Sequence, residues 1–426
     1  MRLLKLQIVR WISSALNSFY KLTGSEKVFF YPLTKEFTDN PYPIYDRLRS
    51  SAPVYKSPLG FWVVTRSKDV NFVLKDPGFG NDYKRKTIER HGPNALDDPS
   101  IHMMSMWLLV LHPPDHTRIR SLMTKTFSAR LVKKMRPQFE ASVNKLIDKV
   151  IDKGEMDIIR DLAKPLPVMV ICEILGIPEK DWQWFIYEAN LPGRLIDPMP
   201  MTAQERDEIN QRVLELNAYF EKFIDLKREQ PADDLGTLMV QAFDEGEDKL
   251  SKAELISSFE LLFGAGHDTT MNLIGNGLNA LLNHPEQFNK LRQKPELISN
   301  AIEELLRYDA PVQLAHRMAM QDTEIDGHSI KEGEIIITAL GAANRDPELY
   351  TDPNSLDIER EKIKHSAFGG GIHFCIGAML ARIETEIAFK VLLERIPDFQ
   401  LSSKQQEWNP TATLRGLRSL PVTWEQ

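Results

Sequence analysis

Two stretches of this 426-residue chain bring together side chains able to do chemistry. In Phe368-Gly369-Gly370-Gly371-Ile372-His373-Phe374-Cys375-Ile376-Gly377 a cysteine follows a glycine run and leads into the helix-forming segment Ala378-Met379-Leu380-Ala381-Arg382-Ile383-Glu384. Glycines let a bulky planar ligand approach the backbone and let N–H groups turn toward a sulfur. The positive end of a helix dipole favours the thiolate, the form in which cysteine ligates iron. In Ala265-Gly266-His267-Asp268-Thr269-Thr270 an acid and an alcohol stand side by side after small residues, a pairing suited to moving protons in an apolar pocket. The competing reading of that string is a helix kink with the threonine bonded to its own backbone. His267 reads as a satisfied or solvent-facing histidine rather than a metal ligand.

Other candidate groups are weak singly. Glu304 and Arg307 fall at i, i+3 on one helix face. His116 and Arg120 fall at i, i+4 on another, and Arg317 stands in Leu314-Ala315-His316-Arg317. The chain's 2 cysteines exclude a disulfide framework and a structural zinc cluster. Cys172, in the apolar run Pro167 to Leu175, reads as a small buried hydrophobe. With 53 Lys plus Arg against 60 Asp plus Glu, a net charge of −7 and 42% apolar residues, the chain has a globular composition. Such a balance argues against nucleic acid as a partner, because binding phosphate backbones requires a basic face.

The elements that must position these residues are mainly helical. Ser251-Lys252-Ala253-Glu254 is a capping box opening a helix that runs to about Asn283, roughly 50 Å at 1.5 Å per residue, long enough to pass through the core. Asp115 to Asn283 reads as helices broken at prolines, including Pro165 to Pro167. Further helices are expected at Pro295 to Tyr308 and from about Cys375 to Arg395. Strands are expected around Val54-Tyr55 and Phe61 to Val64 as a hairpin, at Thr323 to Ile325, His328 to Ile330 and Glu334 to Ala339, and as a last hairpin within Leu414 to Trp424. Residues 75 to 115 read as a long mobile connection with short helical pieces. A minor sheet gathered from both ends of the sequence implies one interwoven domain, residues 27–426, behind a leader of residues 1–26. In that leader Leu4, Ile8, Trp11, Ile12, Ala15, Phe19 and Leu22 recur at helical spacing among Arg2, Lys5, Arg10 and Lys21. A cationic amphipathic helix of this kind packs on its own protein, targets the chain, or makes a weak membrane-surface contact through residues 1–22. No uncharged run approaches the roughly 20 residues of a membrane span.

The cysteine decapeptide resembles the haem-binding signature of the cytochrome P450 family, whose haem is held by a cysteine thiolate. The resemblance extends from Pro113 to Glu384 in its motifs and is closest to soluble bacterial members. It implies a mainly α fold with a minor β region, haem b lying between the long central helix and the cysteine-loop helix, and Cys375 as the proximal iron ligand. Phe368 and Gly371 belong to the same signature. His116, Arg120, Arg317 and His373 match propionate contacts. Glu304, Arg307 and Arg360 match a buried structural triad. Ala265 and Gly266 match the groove over the haem, at the cost of a local distortion of the helix, while Thr269 would bond bound oxygen and Asp268 relay solvent protons.

By the same resemblance the substrate pocket draws on Met103 to Leu108 (Met106 and Trp107 among them), Leu191 to Ile196, Phe263 and Ala265, Val312 to Ala315 (with Gln313 and Leu314), and Leu414 to Leu417. Gln313, Arg194 and Arg415 are its candidate polar anchors. The implied reaction inserts one oxygen atom from O2 into an apolar small molecule, with electrons from an external ferredoxin-type donor and no bound flavin or nicotinamide. Arg130, Lys133, Lys134, Arg136, Lys362 and Lys364 form a candidate docking face for that donor, with a solvated charge run as the alternative. The location implied is cytoplasmic or peripheral to a membrane. A peroxide-driven peroxygenase and a non-catalytic haem sensor are the rival functions.

Overall fold

The computed structural model describes residues 29–126, 129–187, 194–198, 201–245, 250–396, 398–403 and 406–425, without the side chains of 90 and 125–131. The leader, residues 191–193 of the expected pocket lining and the side chain of Arg130 therefore lie outside the described residues.

Lys252–Leu282, 31 residues long, is the central helix. Its start is fixed reciprocally: Ser251 Oγ accepts from the Glu254 N–H at 3.2 Å, and Glu254 Oε2 accepts from the Ser251 N–H at 2.6 Å. Apolar residues all around it, Leu255, Phe259, Leu273, Ile274 and Leu278 among them, are buried, as expected of a helix enclosed by others. Helices Pro165–Leu175, Ala203–Glu229, Ile298–Tyr308 and Ala378–Arg395 pack against it. The prolines at 165 and 167 open a helix rather than break one, since its first turn needs no N–H partner. Cys172 is buried in that helix, a small hydrophobe as its sequence context implies.

The strands are β1 Val54–Lys56, β2 Phe61–Val64, β3 Phe79–Gly80, β4 Glu155–Asp157, β5 Leu314–Ala319, β6 Thr323–Ile325, β7 His328–Ile330, β8 Ile335–Ala339, β9 Gln400–Leu401 and β10 Pro421–Thr423. Five of them form one sheet in the order β1-β2-β8-β5-β3, in which only β2 and β8 run parallel. One face of this sheet buries Leu314, Val63 and Ala339 against Phe30, Tyr45 and Leu48; the other buries Trp62, Val64 and Ile336 against Val70, Val73 and Leu74. Residues 75 to 115 thread through short helices at Tyr83–His91 and Pro99–Met104.

Three expectations are corrected. The segment Leu414 to Trp424 is not a hairpin: β10 pairs with β4 and β9, while Leu414 and Leu417 form single bridges to Val312 and Trp408. The last long helix begins at Ala378, because Cys375 and Ile376 complete the loop and Gly377 caps the helix. The central helix is continuous α through residues 264–270, without the expected distortion. No helix among the described residues is long and apolar enough to cross a membrane.

Candidate active site around Cys375

The loop preceding Cys375 is shaped by backbone that needs glycine. Gly369 and Gly371 have φ of +70° and +62°. A Cβ on Gly371 would stand 2.3 Å from the Leu74 carbonyl, so the loop lies against helix Ser67–Lys75 with no room for a side chain. The Cys375 N–H donates to Phe368 O at 3.0 Å, closing the loop on itself. Burial pushes the Cys375 thiol up, while the Gly377 N–H and the guanidinium groups of Arg120 and Arg382 pull it down.

A cationic cluster adjoins this loop. From helix Asp115–Thr126, Arg120 Nη2 donates to Phe374 O at 2.7 Å, and the His116 ring lies 4.5 Å from that of His373. Arg317, from β5, is buried and donates to His316 O. Burial, reinforced by the neighbouring arginines, holds His116 down to about 4 and His373 to about 3, and burial alone lowers Arg317 to about 10. Both ring nitrogens of His116 and Nε2 of His373 are buried without a hydrogen-bond partner, the Ile372 backbone nearby forming no bond of good geometry. No carboxylate among the described residues pairs with Arg120 or Arg317 within salt-bridge distance. Buried donors with no acceptor beside unpaired guanidiniums fit a group carrying two carboxylates. The propionates of a haem supply that pair.

On the central helix, Ala265 is exposed and Gly264, Gly266 and Thr269 are half-buried, although the turns on either side are core. This stretch of the helix therefore faces an open space, and a Cβ on Gly264 would meet nothing within 4 Å. Thr269 Oγ1 donates to Ala265 O at 2.7 Å, so its lone pairs remain free to accept. Asp268 is buried, with Oδ1 3.4 Å from His267 Nδ1. His267 is satisfied, as read: its Nε2 lies 3.1 Å from Lys164 O, and burial lowers its pKa. A carbonyl only accepts, so Nε2 carries the proton of the neutral ring and Nδ1 faces the Asp268 carboxyl as an acceptor.

The expected triad is assembled. Arg307 and Glu304 have no exposed side-chain surface and pair through Nε–Oε2 at 2.7 Å and Nη2–Oε1 at 2.8 Å. Arg360 Nε adds a 3.2 Å bond to Glu304 Oε1.

The pocket residues divide. Val312, just before β5, is half-buried and packs with Ala315 against the cluster of Trp62, Val64 and Ile336, and Met106 keeps accessible surface. Leu314 points to the opposite face of the sheet, because neighbouring side chains on β5 alternate. Phe263 is stacked on Phe185 at 4.4 Å, and Trp107, Leu414 and Leu417 are buried. Two of the three polar anchors are engaged internally. Gln313 Nε2 donates to Ala310 O and the Tyr42 hydroxyl, and Arg415 binds Asp309 Oδ1 at 2.8 Å while covering the Trp408 ring. Arg194 lies 3.7 Å from Glu205.

Reading the sequence missed His112, whose charge bears on both cluster histidines and which the i, i+4 spacing to His116 would have flagged. It also missed Glu303, beside Glu304, which binds Arg382 and His365.

The thiol loop, the cationic cluster beside it and the exposed face of the central helix fit a haem-dependent oxidoreductase. The family model described as Cytochrome P450 matches residues 54–423. The polyketide biosynthesis cytochrome P450 PksS of Bacillus subtilis (strain 168) is 39% identical over 93% of this chain and 99% of its own. The cytochrome P450 monooxygenase PikC of Streptomyces venezuelae is 37% identical over 92% and 93%. The solved structure of P450BioI in complex with hexadec-9Z-enoic acid ligated acyl carrier protein superimposes with a TM-score of 0.85, at 36% identity over 92% of this chain and 100% of that one. The chain belongs to the cytochrome P450 family. It is a monooxygenase with the fold and haem cofactor of that family.

Proposed function

We propose that Cys375 supplies the proximal thiolate to haem b, and that His116, Arg120, Arg317 and His373 hold its propionates, in a monooxygenase acting on an apolar small molecule. The observation that carries this reading is the contiguity of the thiol loop with the unpaired cationic cluster, through Arg120 on Phe374 O and His116 on His373. Haem held there would supply the redox chemistry that reduces O2 and inserts one of its oxygen atoms into a C–H or C=C bond.

The remaining work falls to the chain's own side chains. Thr269, anchored to Ala265 O, presents its hydroxyl oxygen at the opened stretch of the central helix and accepts a hydrogen bond there. Asp268, whose Oδ1 lies 3.4 Å from His267 Nδ1, relays solvent protons toward that stretch, a general-acid role. Ala265 leaves room there by lacking side-chain bulk, whereas a Cβ on Gly266 would stand 3.3 Å from Ile171, so that glycine serves the close packing of helix Pro165–Leu175 and does not open the groove. With Gln313 and Arg415 engaged internally, an apolar substrate is held by shape rather than by those groups.

Electrons come from a ferredoxin-type donor docking beside Cys375, where Ile372 and Phe374 are exposed. Lys133 and Lys134 are exposed too, Lys134 at 2.5 Å from Asp233, while Arg136 pairs with Glu386 at 2.6 Å. Charge reversal at Lys133 and Lys134 should slow donor-supported reduction at low salt, and an unchanged rate would leave these lysines as a solvated face.

The direct test is turnover with O2 and a ferredoxin–reductase pair, set against hydrogen peroxide alone. Compound classes are first screened for a substrate-induced change in the haem spectrum. Long acyl chains, free and carrier-bound, belong in the screen because the P450BioI structure holds one. Product with the electron donor and little with peroxide supports the monooxygenase; efficient peroxide turnover alone would favour the peroxygenase. Haem binding with no product from any class would favour the sensor.

A further inference from the structure

We propose that Glu303 is a clasp on the cysteine loop, gripping the chain on both sides of it through His365 and Arg382 and thereby fixing Phe368 and the Cys375 backbone in place. The proposal rests on the reading of Cys375 as the thiolate ligand.

Glu303 stands on helix Ile298–Tyr308, next to Glu304 of the buried triad, yet its carboxylate turns a different way. Before the loop, His365 Nε2 lies 3.1 Å from Glu303 Oε2, and the other ring nitrogen, Nδ1, accepts from the Ala367 N–H at 3.2 Å. Nδ1 is thus the acceptor and Nε2 the donor, which fixes the tautomer and the ring orientation. After the loop, Arg382 grips the same carboxylate in bidentate fashion, with Nη2 2.9 Å from Oε2. Its Nη1 also donates to Ala378 O at 3.2 Å, tying the first turn of the cysteine-loop helix.

The guanidinium so pinned lies over the Phe368 ring, 4.4 Å from its centroid, a cation–π contact. The His365 ring stands 5.7 Å from that of Phe368, tilted at 52°. Phe368 in turn supplies the carbonyl that receives the Cys375 N–H at 3.0 Å. One carboxylate therefore orders both ends of the segment 365–382 and the aromatic ring that meets the cysteine backbone. Glu303 and Arg382 are positioning residues: neither touches the sulfur by hydrogen bond.

Both side chains are about a third exposed, 30% for Glu303 and 34% for Arg382, so the pair contributes little to global stability. That separates a positioning role from a merely structural one. The experiment compares the haem-loaded parent, Glu303→Gln, Arg382→Ala, Arg382→Lys and the Glu303→Gln/Arg382→Ala double variant. Three quantities are read: the urea midpoint, the haem reduction potential, and the rate at which the reduced, carbon-monoxide-bound protein loses its thiolate absorption band.

Both Glu303→Gln and Arg382→Ala should lose the band about tenfold faster than the parent with nearly unchanged urea midpoints. The double variant should be no worse than the worse single, because the two act as a unit. Arg382→Lys should fall between, keeping the charge while losing the planar fork. The potential should shift in the same variants. Rates and potentials within twofold and within error of the parent would overturn the clasp, and so would additive effects in the double variant. If instead the parent itself shows no thiolate band, the reading of Cys375 fails and the clasp falls with it, an outcome distinct from a normal parent with indifferent variants.

Discussion

Arg307 and Glu304 face each other with no exposed side-chain surface, and Arg307 also donates to Pro353 O at 2.7 Å and Ser355 O at 2.9 Å. Removing one member of a buried, hydrogen-bonded ion pair strands the other and costs about 3–5 kcal/mol. Arg307→Ala should therefore yield little folded, haem-loaded protein. Arg307→Lys should rescue poorly, since an ammonium cannot reach the carboxylate and both carbonyls at once. Urea unfolding with haem content per chain checks both.

Thr269→Ala removes the hydroxyl at the opened stretch of the central helix but no buried ion or large side chain. Its urea midpoint should stay near the parent's, while product per reductant consumed falls on the order of tenfold to a hundredfold. Asp268→Asn should slow the same step and enlarge its solvent deuterium isotope effect. Coupling equal to the parent's in both would remove these residues from the proton path.

His116 and His373 are held neutral in the fold, at about 4 and about 3, against an ordinary value of 6.5. Between pH 6.5 and 4 the unfolded chain binds protons that the folded chain refuses, so stability falls as pH falls through that window. His116→Gln should flatten this acid limb in urea midpoints measured from pH 7 to 4. Haem should shorten and flatten the limb, because its carboxylates favour the protonated rings and so bring their folded values back toward 6.5. A limb unchanged by the substitution would dissociate His116 from it.

Glu260 is buried on the central helix with both carboxyl oxygens unpartnered, and burial raises it to about 8. Here the sign reverses: the folded chain keeps a proton that the unfolded chain releases above 4.5, so the parent loses stability as pH rises from 4.5 to 8. Glu260→Gln should be the more stable protein at pH 8, its lead growing by at most about 1.4 kcal/mol per pH unit across that window. Urea midpoints at pH 5, 6.5 and 8, on the order of one measurement per pH step, give the slope.

How legible each feature was follows from its physics. The central helix was plain because Ser251 and Glu254 make a local cap and the helix is long enough to outweigh its neighbours. Strands β6 and β7 were plain because the turn residues Asp326 and Gly327, both at positive φ, separate them. β5, an interior strand of the main sheet, escapes a pattern reading because Leu314-Ala315-His316-Arg317 alternates poorly, with an arginine buried where an apolar residue is expected. β10 was read as half of a hairpin because its partners, at Glu155–Asp157 and Gln400–Leu401, are distant in sequence or carry too little pattern to pair by eye. At the site, the cysteine loop and the acid–alcohol pair are local motifs. Glu303, His112 and the internal engagement of Arg415 and Gln313 are products of packing, and spacing alone does not assign such partners.

On the proposed reading, the sulfur of Cys375 would hold the haem iron. The reduced, carbon-monoxide-bound absorption spectrum of purified Cys375→Ser, beside that of the parent at equal haem content, tests it most directly. The parent should show the long-wavelength band of a thiolate-bound haem, and the variant should lack it. A variant retaining the parent's band would contradict the assignment.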